Sequence, residues 1–396
     1  MAKQALAITG CALLTPLDDT PGETGGTWRA IRAGQRIDRR TAIDDRLLDP
    51  DIHLDRSIRL ALAAARQALG DAPLDAATAL FCGTSKGPIT TMLQACETLR
   101  RGEPLHETTA RQVTLGVGAM GTILRERLGP DRDAKSGADA PAGNSHHADH
   151  AITHTSVAAC ASGLHALHRA AQTLWQNEAL AQQGDPAVPC RRALVVAADA
   201  SLHPLFAASF QRLGVLSPPD AHGLPRCEPF GHAGDGFFLT EAAAAIVLEC
   251  QDLAITRDDP PYAWVEESWS GADGTGLIAI DPQTHSLRAG IRACAGGRGG
   301  RDEGLAFVHA HATGTEHDDY ELHAIRSVVA PRLPVFSSKG FLGHSLGAAG
   351  LVSVALSVQC HVGGSTLTGD YIAPDTTSLT IAQGFGGHIG IVRIRG

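Results

Sequence analysis

The sequence predicts an α/β fold built from two halves of related design. Stretches with the pattern of buried strands alternate with amphipathic helices along the 396 residues, as in proteins whose sheets are covered by helices. A strand, a turn of small residues and a long helix follow one another twice, once around Cys160 and once around His344. The two segments share an order of elements but too little identity to define a sequence repeat.

A charged, proline-containing segment divides the chain. Residues 256–261, TRDDPP, have the composition of a linker, and we therefore expect an N-terminal half at 1–255 and a C-terminal half at 256–396. Residues 131–150 are polar, rich in glycine and alanine and without periodicity, which predicts a surface insertion. The histidines at positions 146, 147 and 150 lack a rigid frame and a cysteine or carboxylate partner, so we predict no metal site there.

The composition argues against several classes of function. A net charge of -9 without a run of lysine and arginine argues against a nucleic-acid surface, and we expect no apolar stretch of membrane-spanning length. The start of the chain predicts a first β-strand rather than a signal sequence. Nine cysteines without a C-x-x-C pair indicate neither a zinc site nor a disulfide framework, which predicts a reducing, cytoplasmic environment.

Cys160 lies at the most informative junction of the sequence. Residues 152–174, ITHTSVAACASGLHALHRAAQTL, have the pattern of a strand followed by a helix, with small residues crowding the turn. Peptide dipoles at a helix N-terminus stabilise negative charge, so we expect this position to favour a nucleophilic thiolate. A buried structural cysteine is the alternative interpretation.

Two histidines follow comparable patterns. His311 comes after a buried strand, and His344 lies in a glycine-rich turn before an apolar helix. Because ligand sites of α/β sheets gather at strand ends, we expect Cys160 and both histidines to meet. A thiolate can take an acyl group as a thioester, and neutral imidazoles can stabilise an oxyanion, or the enolate left by decarboxylation of a second thioester. For His311 alone, a core histidine with satisfied hydrogen bonds is the alternative.

Five motifs in a fixed order carry a family resemblance. They are AACASGLHAL at 158–167, EPFGHAGDGFFLTEAAAAIVLE at 228–249, HATGT at 311–315, SSKGFLGHSLGAAG at 337–350 and GFGGHIG at 384–390. With these motifs the chain resembles, over nearly its whole length, the β-ketoacyl-acyl-carrier-protein synthases of the thiolase superfamily. Each motif alone is weakly specific, whereas all five in this order are specific.

The resemblance implies a role for each reactive residue. Cys160 would be the acylated nucleophile, and His311 and His344 would be the pair that supports decarboxylation. Lys339 would organise the site around His344. Phe385 would be the gate between the acyl pocket and the extender site, and its amide, together with the turn before Cys160, would help to form the oxyanion hole.

The same resemblance implies the fold, the substrates and the partners. The fold would be a thiolase-like, five-layered αβαβα sandwich of two similar halves, usually in a homodimer. Thr313 and Thr315 would contact the phosphopantetheine arm of an acyl carrier protein. The substrates would be an acyl and a malonyl-type thioester, carried on that arm or on CoA, with no metal or other organic cofactor. Fatty acid, polyketide and specialised lipid synthesis are all compatible with the motifs.

Several positions depart from the family pattern. Ala312 replaces a glycine and would add a methyl group against the turn after His311. Ser353 stands where a glutamate often pairs with the motif lysine, so Lys339 would lack that counter-charge and have a lowered pKa. Ile280 stands in the place of a threonine that contacts phosphopantetheine. Leu322 occupies the position of the family's acidic residue, and Glu321 lies one position before it. His388 and Ile389 replace a Thr-Asn pair.

Two other functions stay open at this point. A non-catalytic partner of the chain-length-factor type would shape the pocket of another synthase, although such partners usually lose the cysteine that this chain keeps. A thiolase-fold acyltransferase would pass the acyl group from Cys160 to an alcohol or amine without decarboxylation. Retention of both His311 and His344 argues against that function, because simple acyl transfer needs one general base.

Overall fold

The structure is a computed structural model, and it describes most of the chain. The described residues are 3–18, 25–38, 41–130, 152–184, 190–231, 235–296 and 304–396. The predicted insertion at 131–150, with its three histidines, lies outside them.

The described residues form ten strands and twelve helices. The strands are β1 (Leu6–Leu14), β2 (Thr78–Gly83), β3 (Thr153–Ser156), β4 (Arg192–Asp199), β5 (Ala242–Glu249), β6 (Ala263–Ala272), β7 (Leu305–His309), β8 (Val335–Phe336), β9 (Thr377–Gly384) and β10 (His388–Arg395). The helices are α1 (Gly26–Arg32), α2 (Arg56–Leu69), α3 (Ile89–Arg100), α4 (Glu107–Leu115), α5 (Ala119–Leu128), α6 (Ser162–Gln182), α7 (Pro204–Arg212), α8 (Gln251–Ala254), α9 (His285–Ala295), α10 (His317–Arg326), α11 (Lys339–Leu342) and α12 (Ala349–Gly363).

The strand order shows a duplicated topology. Across the described residues the order is β3-β2-β4-β5-β1-β6-β10-β9-β7-β8. In the first half β3, β2 and β4 pair in parallel, and β5 and β1 follow in antiparallel pairing. The second half repeats this arrangement with β8, β7, β9, β10 and β6. The halves join where β1 pairs with the start of β6, and the prediction of two similar halves is confirmed.

The alternation of side chains along the strands divides the core into three apolar clusters. Val195 and Ala197 of β4 face the central cluster, whereas Leu194 and Val196 face an outer one, because successive side chains of a strand point to opposite faces. Helices α6 and α12 fill the central cluster, α2 and α5 cover one outer face, and α9 and α10 cover the other. The predicted five-layered αβαβα sandwich is confirmed.

The first turns of α6 and α12 meet in the centre of the molecule. Gly163 lies so close to α12 that a β-carbon at this position would be 2.9 Å from the backbone nitrogen of Leu351, and only glycine permits this approach. Each of the two helices follows the third strand of its half, β3 or β8. The turns that carry Cys160 and His344 are therefore brought together by equivalent parts of the two halves.

Helix α12 corrects one expectation from the sequence. The 18 residues Leu346–Gly363 are apolar enough, by length and composition alone, to cross a membrane, so the expectation that no such stretch exists was wrong. In the fold 83% of this stretch is buried. A helix enclosed between the two halves of the sheet is apolar on all faces, and this position in the central layer accounts for its composition.

Candidate active site

The turn after β3 holds Cys160 in an enclosed position. Ala159, directly before it, has a φ of 46°, which is a strained conformation for a residue with a β-carbon. Ser162 fixes the turn, because its hydroxyl accepts the Ala158 N–H at 2.8 Å and donates to the Ala159 carbonyl at 2.7 Å. The cysteine itself is 8% exposed and lies at the N-terminal end of α6.

The glycine-rich loop between β9 and β10 packs against this turn. A β-carbon on Gly384 would lie 2.7 Å from the Ala158 carbonyl oxygen and 2.8 Å from the Cys160 nitrogen, so only glycine permits the contact. Phe385 follows and stacks on Phe210, with ring centroids 6.4 Å apart. The backbone of the loop thus lies beside Cys160, and the roles of Phe385 as gate and oxyanion-hole donor stay predictions.

Two carboxylates of α10 shape the loop that carries His311. Glu321 accepts the N–H of His311 at 2.8 Å and that of Ala312 at 2.7 Å. Asp318 accepts the next two backbone N–H groups of the loop at 2.8 and 2.9 Å. Four consecutive N–H groups are therefore satisfied by a single helix, as buried backbone donors require.

Lys339 connects the two histidine segments. Its side chain is 3% exposed, and its ammonium group donates a hydrogen bond to the carbonyl of His311. His344, 1% exposed, donates its N–H to the carbonyl of Phe238 at 2.9 Å. The His344 ring packs edge-on against Phe237 with centroids 4.8 Å apart. Both histidines are thus fixed through their backbones, and their rings are left to face the cavity.

One cavity joins the reactive side chains. The rings of His311 and His344 lie 5.6 Å apart between centroids, at an angle of 78°, and the space around them measures about 530 Å³ including its mouth. The cavity is lined by Cys160, Phe210, Val215, Phe237, Ile280, His311, Thr313, Thr315, His317, Asp318, Glu321, His344, Gln383, Gly384 and Phe385. Of the predicted site residues, Lys339 alone lies behind the wall rather than in it.

Besides Glu321, two departures from the family pattern lie in or beside the cavity. Ala312 is 1% exposed and belongs to the apolar cluster beneath α9 and α10, so the core accommodates its methyl group. Ile280 lines the cavity and presents an apolar surface. Ala312 therefore changes only the packing, whereas Ile280 presents an apolar side chain where the family pattern has a threonine hydroxyl.

Comparisons with known proteins agree with this geometry. The N-terminal domain of the β-ketoacyl synthases matches residues 145–254, and their C-terminal domain matches residues 262–364, together more than half of the chain. The chain belongs to the β-ketoacyl synthase family. The resemblance expected from the five motifs is confirmed.

Curated relatives align with this chain over part of their own length. 3-Oxoacyl-[acyl-carrier-protein] synthase 2 of Mycobacterium leprae is 28% identical over 275 residues, which are 65% of this chain and 63% of the relative. The tetracenomycin polyketide synthase ketoacyl synthase alpha subunit of Streptomyces glaucescens is 26% identical over 366 residues, 84% of this chain and 79% of the relative. The match to the mycobacterial enzyme thus spans less than two thirds of that protein.

Solved structures share the complete fold. The ishigamide ketosynthase/chain length factor has a TM-score of 0.77 at 21% identity, covering 100% of this chain and 99% of that one. A β-ketoacyl synthase from Burkholderia phymatum STM815 has a TM-score of 0.76 at 20% identity, covering 99% of both chains. At these identities the likeness establishes the fold, which is the thiolase-like sandwich of the ketosynthases.

Burial keeps both histidines of the β-ketoacyl synthase site uncharged. It lowers the pKa of His311 and that of His344 well below the ordinary value of 6.5, and the charge of Lys339 lowers both further. The Nδ1 atoms of both rings are buried and have no hydrogen-bond partner among the described residues. Two neutral imidazoles can each donate one N–H to an oxygen that gains negative charge.

The resting state of Cys160 differs from the expectation. Burial raises the pKa of its thiol from 9.0 to about 12, a shift that the charge of Lys339 reduces and that of Asp199 increases. A helix N-terminus stabilises an anion by up to about 2 kcal/mol. The rise in the pKa of Cys160 corresponds to a destabilisation of the thiolate by roughly 4 kcal/mol. The expectation that this position favours the thiolate was therefore wrong, and any reaction at Cys160 would start from the protonated thiol.

Glu321 provides the charge opposite Lys339. Burial lowers the pKa of Lys339, and the carboxylate of Glu321 opposes that shift more than any other group. Burial also raises the pKa of Glu321 to about 7, against the effect of the two backbone N–H groups that it accepts. The lowered pKa expected for Lys339 is confirmed in direction, but burial is its cause. Ser353 is uncharged, and the negative charge opposite Lys339 comes instead from Glu321 of α10.

Sequence reasoning missed Asp199. This carboxylate at the end of β4 is 2% exposed and accepts hydrogen bonds from the hydroxyls of Ser85 and Ser201 and, at 3.3 Å, from the Gly347 N–H. It thereby ties the ends of β2 and β4 to the turn after His344. Nothing in the strand sequence VVAADAS marks this role. The two acidic residues of α10, in contrast, carry a signal, since they stand three positions apart just after HATGT and so share one helix face.

Alkylation tests the resting state of Cys160. Because the thiolate is the nucleophile, the rate of its reaction with iodoacetamide should rise about tenfold for each pH unit through the neutral and mildly alkaline range. The measurement is the mass-spectrometric yield of the labelled Cys160 peptide, with exposed Cys96 in the same sample as the reference for the reagent. A rate for Cys160 that levels off near neutral pH would instead show an ionised resting thiol.

Substitution of Glu321 tests how the His311 loop is held. Glu321→Gln replaces one acceptor with a donor that faces a backbone N–H, so the free energy of unfolding should fall by about 1–3 kcal/mol. Glu316→Gln makes the same change at an exposed position of the same segment and should leave stability unchanged. Urea unfolding of the two variants measures the difference, and equal stabilities would contradict this role of Glu321.

Proposed function

We propose that this chain catalyses the decarboxylative condensation of an acyl group held on Cys160 with a malonyl-type thioester. The observation that carries the proposal is the meeting of one cysteine and two neutral imidazoles in a single enclosed cavity. Relatives named 3-oxoacyl-[acyl-carrier-protein] synthase and polyketide synthase ketoacyl synthase support it. The products would be a β-ketoacyl thioester, carbon dioxide and a free carrier thiol.

Acyl transfer is the first step. The Cys160 sulfur bonds to the thioester carbonyl carbon, and the carrier sulfur leaves with a proton in place of the one that Cys160 loses. Negative charge builds up on the carbonyl oxygen during the attack. Peptide N–H groups of the turn before Cys160, together with the amide of Phe385, would stabilise the developing charge.

Decarboxylation and condensation follow. The bond between the malonyl carboxylate and the α-carbon breaks, carbon dioxide leaves, and the electron pair forms an enolate whose oxygen accepts N–H groups from His311 and His344. The enolate carbon then bonds to the acyl carbon, and the Cys160 sulfur leaves and takes up a proton. Neutral imidazoles suit this step, since charged ones would also stabilise the reactant carboxylate. Lys339 was expected to organise the site around His344, but its ammonium group binds the His311 carbonyl, so we assign it as a positioning residue for His311.

The phosphopantetheine arm of an acyl carrier protein is the proposed carrier of both substrates. The hydroxyls of Thr313 and Thr315 lie 3.1 Å apart on the cavity wall, and Phe385 and Thr315 also line a second pocket beside it. An arm that enters there would contact both threonines, and no further cofactor is needed. A solved structure of the same fold, TM-score 0.74 at 19% identity, is a type II polyketide synthase acyl carrier protein in complex with its ketosynthase, which supports this partner.

Intact-mass analysis with acyl carrier thioesters tests the proposed reaction. The unmodified chain should gain one acyl group, then lose it to a malonyl thioester with release of a β-ketoacyl product and carbon dioxide. Cys160→Ala should gain none. His311→Ala and His344→Ala should still be acylated but condense about 10²–10³-fold more slowly.

The control is His317→Ala, which removes an imidazole from the same cavity wall without touching the assigned pair. It should keep most of the condensing activity. An acyl adduct that malonyl thioester does not discharge would make the chain an acyltransferase, and no adduct with any acyl donor would favour a silent partner subunit.

A homodimer formed through β3 is also proposed. Among the described residues β3 pairs with β2 alone, so its other edge is open. Val157, directly after β3, and Val117, in the turn that contacts it, are 48% and 45% exposed. An open strand edge with apolar neighbours readily pairs with a strand of another chain.

A proline in β3 tests this interface. Because the carbonyls of Ile152 and Ser156 face β2, the alternation of the strand points the N–H of Thr155 to the open edge. Thr155→Pro should therefore shift the chain to monomers in light scattering, whereas Thr155→Ala, which keeps the N–H, should not. A dimer that survives the proline would place the interface elsewhere.

A further inference from the structure

A further histidine, His309, lies behind the cavity that His311 and His344 line. It is the last residue of β7 and is 0% exposed, and it does not belong to the lining of the catalytic cavity. The ring of Phe336 packs against it with centroids 4.9 Å apart, at an angle of 42°. The His309 ring is therefore out of reach of a substrate, and any effect it has on a reaction must pass through its neighbours.

The two ring nitrogens of His309 have different partners. Its Nε2 atom accepts the backbone N–H of Ser338 at 3.2 Å. Because a backbone N–H can only donate, Nε2 carries no proton, and the proton of the neutral ring is on Nδ1. Nδ1 then donates to the hydroxyl of Ser357 at 3.1 Å, and that hydroxyl bonds to the hydroxyl of Thr380 at 3.0 Å. These hydrogen bonds assign His309 to the Nδ1–H tautomer.

The surroundings of His309 keep its ring neutral. Burial and the charge of Lys339 lower its pKa to about 3, against the effect of a backbone hydrogen bond with Ser353. A second proton would also place an N–H group at Nε2, where it would face the N–H of Ser338. The ring is therefore a constant acceptor for this backbone group near neutral pH.

The bond from Ser338 to the imidazole fixes the segment that carries Lys339. Ser338 directly precedes α11, at a helix start where backbone N–H groups have no partner within the helix. The hydroxyl of Ser337 donates to the carbonyl of Ala312 at 2.8 Å, and the ammonium group of Lys339 donates to the carbonyl of His311. Three adjacent residues thus join the start of α11 to the end of β7 and the loop after it, and the imidazole provides one of these contacts.

We propose that His309 is a positioning residue for the decarboxylation step, an inference that rests on the condensing reaction proposed above. By holding the N–H of Ser338 it sets the position of Lys339, and the lysine in turn holds the carbonyl of His311. The His311 ring must direct its N–H at the enolate oxygen, and a small displacement of such a donor slows a reaction strongly. Cys160 is held by a separate turn, so acylation depends less on this series of contacts than condensation does.

Two substitutions separate the two bonds of His309. The side-chain amide of glutamine reaches the position of histidine Nε2, and that of asparagine reaches the position of Nδ1. His309→Gln therefore keeps an acceptor for the N–H of Ser338 and loses the donor to Ser357, whereas His309→Asn keeps that donor and loses the acceptor. Both variants should unfold at lower urea concentration than the unmodified chain, because each leaves a buried polar group without a partner.

Only the bond to Ser338 should matter for the reaction. In intact-mass analysis with acyl and then malonyl carrier thioesters, His309→Asn should gain the acyl group on Cys160 but condense about 10–100-fold more slowly than the unmodified chain. His309→Gln should condense within about threefold of the unmodified rate, since its acceptor still holds the start of α11. Equal condensation rates in the two variants would overturn the proposal.

The matched control is His361→Asn, in the last turns of α12. The Nε2 atom of His361 bonds to the hydroxyl of Ser378 at 2.9 Å, so this substitution also removes a bond of Nε2. No hydrogen bond joins His361 to α11 in the described part of the chain. His361→Asn should lower the urea midpoint and leave condensation unchanged, and a loss of condensation as large as in His309→Asn would contradict a specific role of His309.

¹⁵N NMR of the chain labelled in its histidine rings tests the inference without an activity measurement. The His309 signal, identified by its loss in His309→Gln, should have the shifts of the Nδ1–H tautomer. The pH at which His311 becomes protonated should rise in His309→Asn but not in His309→Gln, because only the first releases the positive charge of Lys339 from its place. An Nε2–H tautomer, or equal titration of His311 in both variants, would overturn the positioning role whether or not the chain condenses. The expected spectra from a chain that does not condense would contradict the proposed function instead.

Discussion

His311 and His344 stay uncharged because burial and the ammonium group of Lys339 both oppose a second positive charge in the same cavity. The rest of the site follows from this constraint. Glu321, in the cavity wall, balances the lysine behind it, and together with Asp318 it fixes the backbone that carries His311. Charged side chains therefore surround the two imidazoles, which are themselves neutral and, in the proposed reaction, donate to the substrate. In a site with little water such donors act strongly on a developing oxyanion.

The duplicated fold explains how these groups come together. Each half contributes one turn between its third strand and a central helix, and the close approach at Gly163 brings the two turns into contact. Both turns contain a non-glycine residue with a φ of 46°, Ala159 in one and Leu346 in the other. Strain of this kind persists where the surrounding structure fixes the backbone. Neither half holds a complete site, because Cys160 lies in the first half and both histidines lie in the second.

The sequence was sufficient for the alternation of strands and helices, the two related halves and the group of reactive residues, because strand and helix patterns and short motifs are local features. The ionisation of Cys160 was not predictable in this way. It depends on burial by segments distant in sequence, including the loop at Gly384, and burial outweighs the dipole of α6. The partnership of Lys339 with Glu321 depends on how α10 lies against the HATGT loop, which linear spacing does not give. Asp199 was missed for the same reason, since two of its three partners, Ser85 and Gly347, are distant from it in sequence.

The protonation state of the two histidines is the most direct test of the proposed chemistry. In a chain labelled with ¹⁵N in its histidine rings, the signals of His311 and His344 can be identified by their loss in His311→Asn and His344→Asn. Both should have the shifts of neutral imidazole from neutral to mildly acidic pH, and Lys339→Met should raise the pH at which they become protonated, because it removes a nearby positive charge. An imidazolium signal from either ring at neutral pH would contradict the central claim.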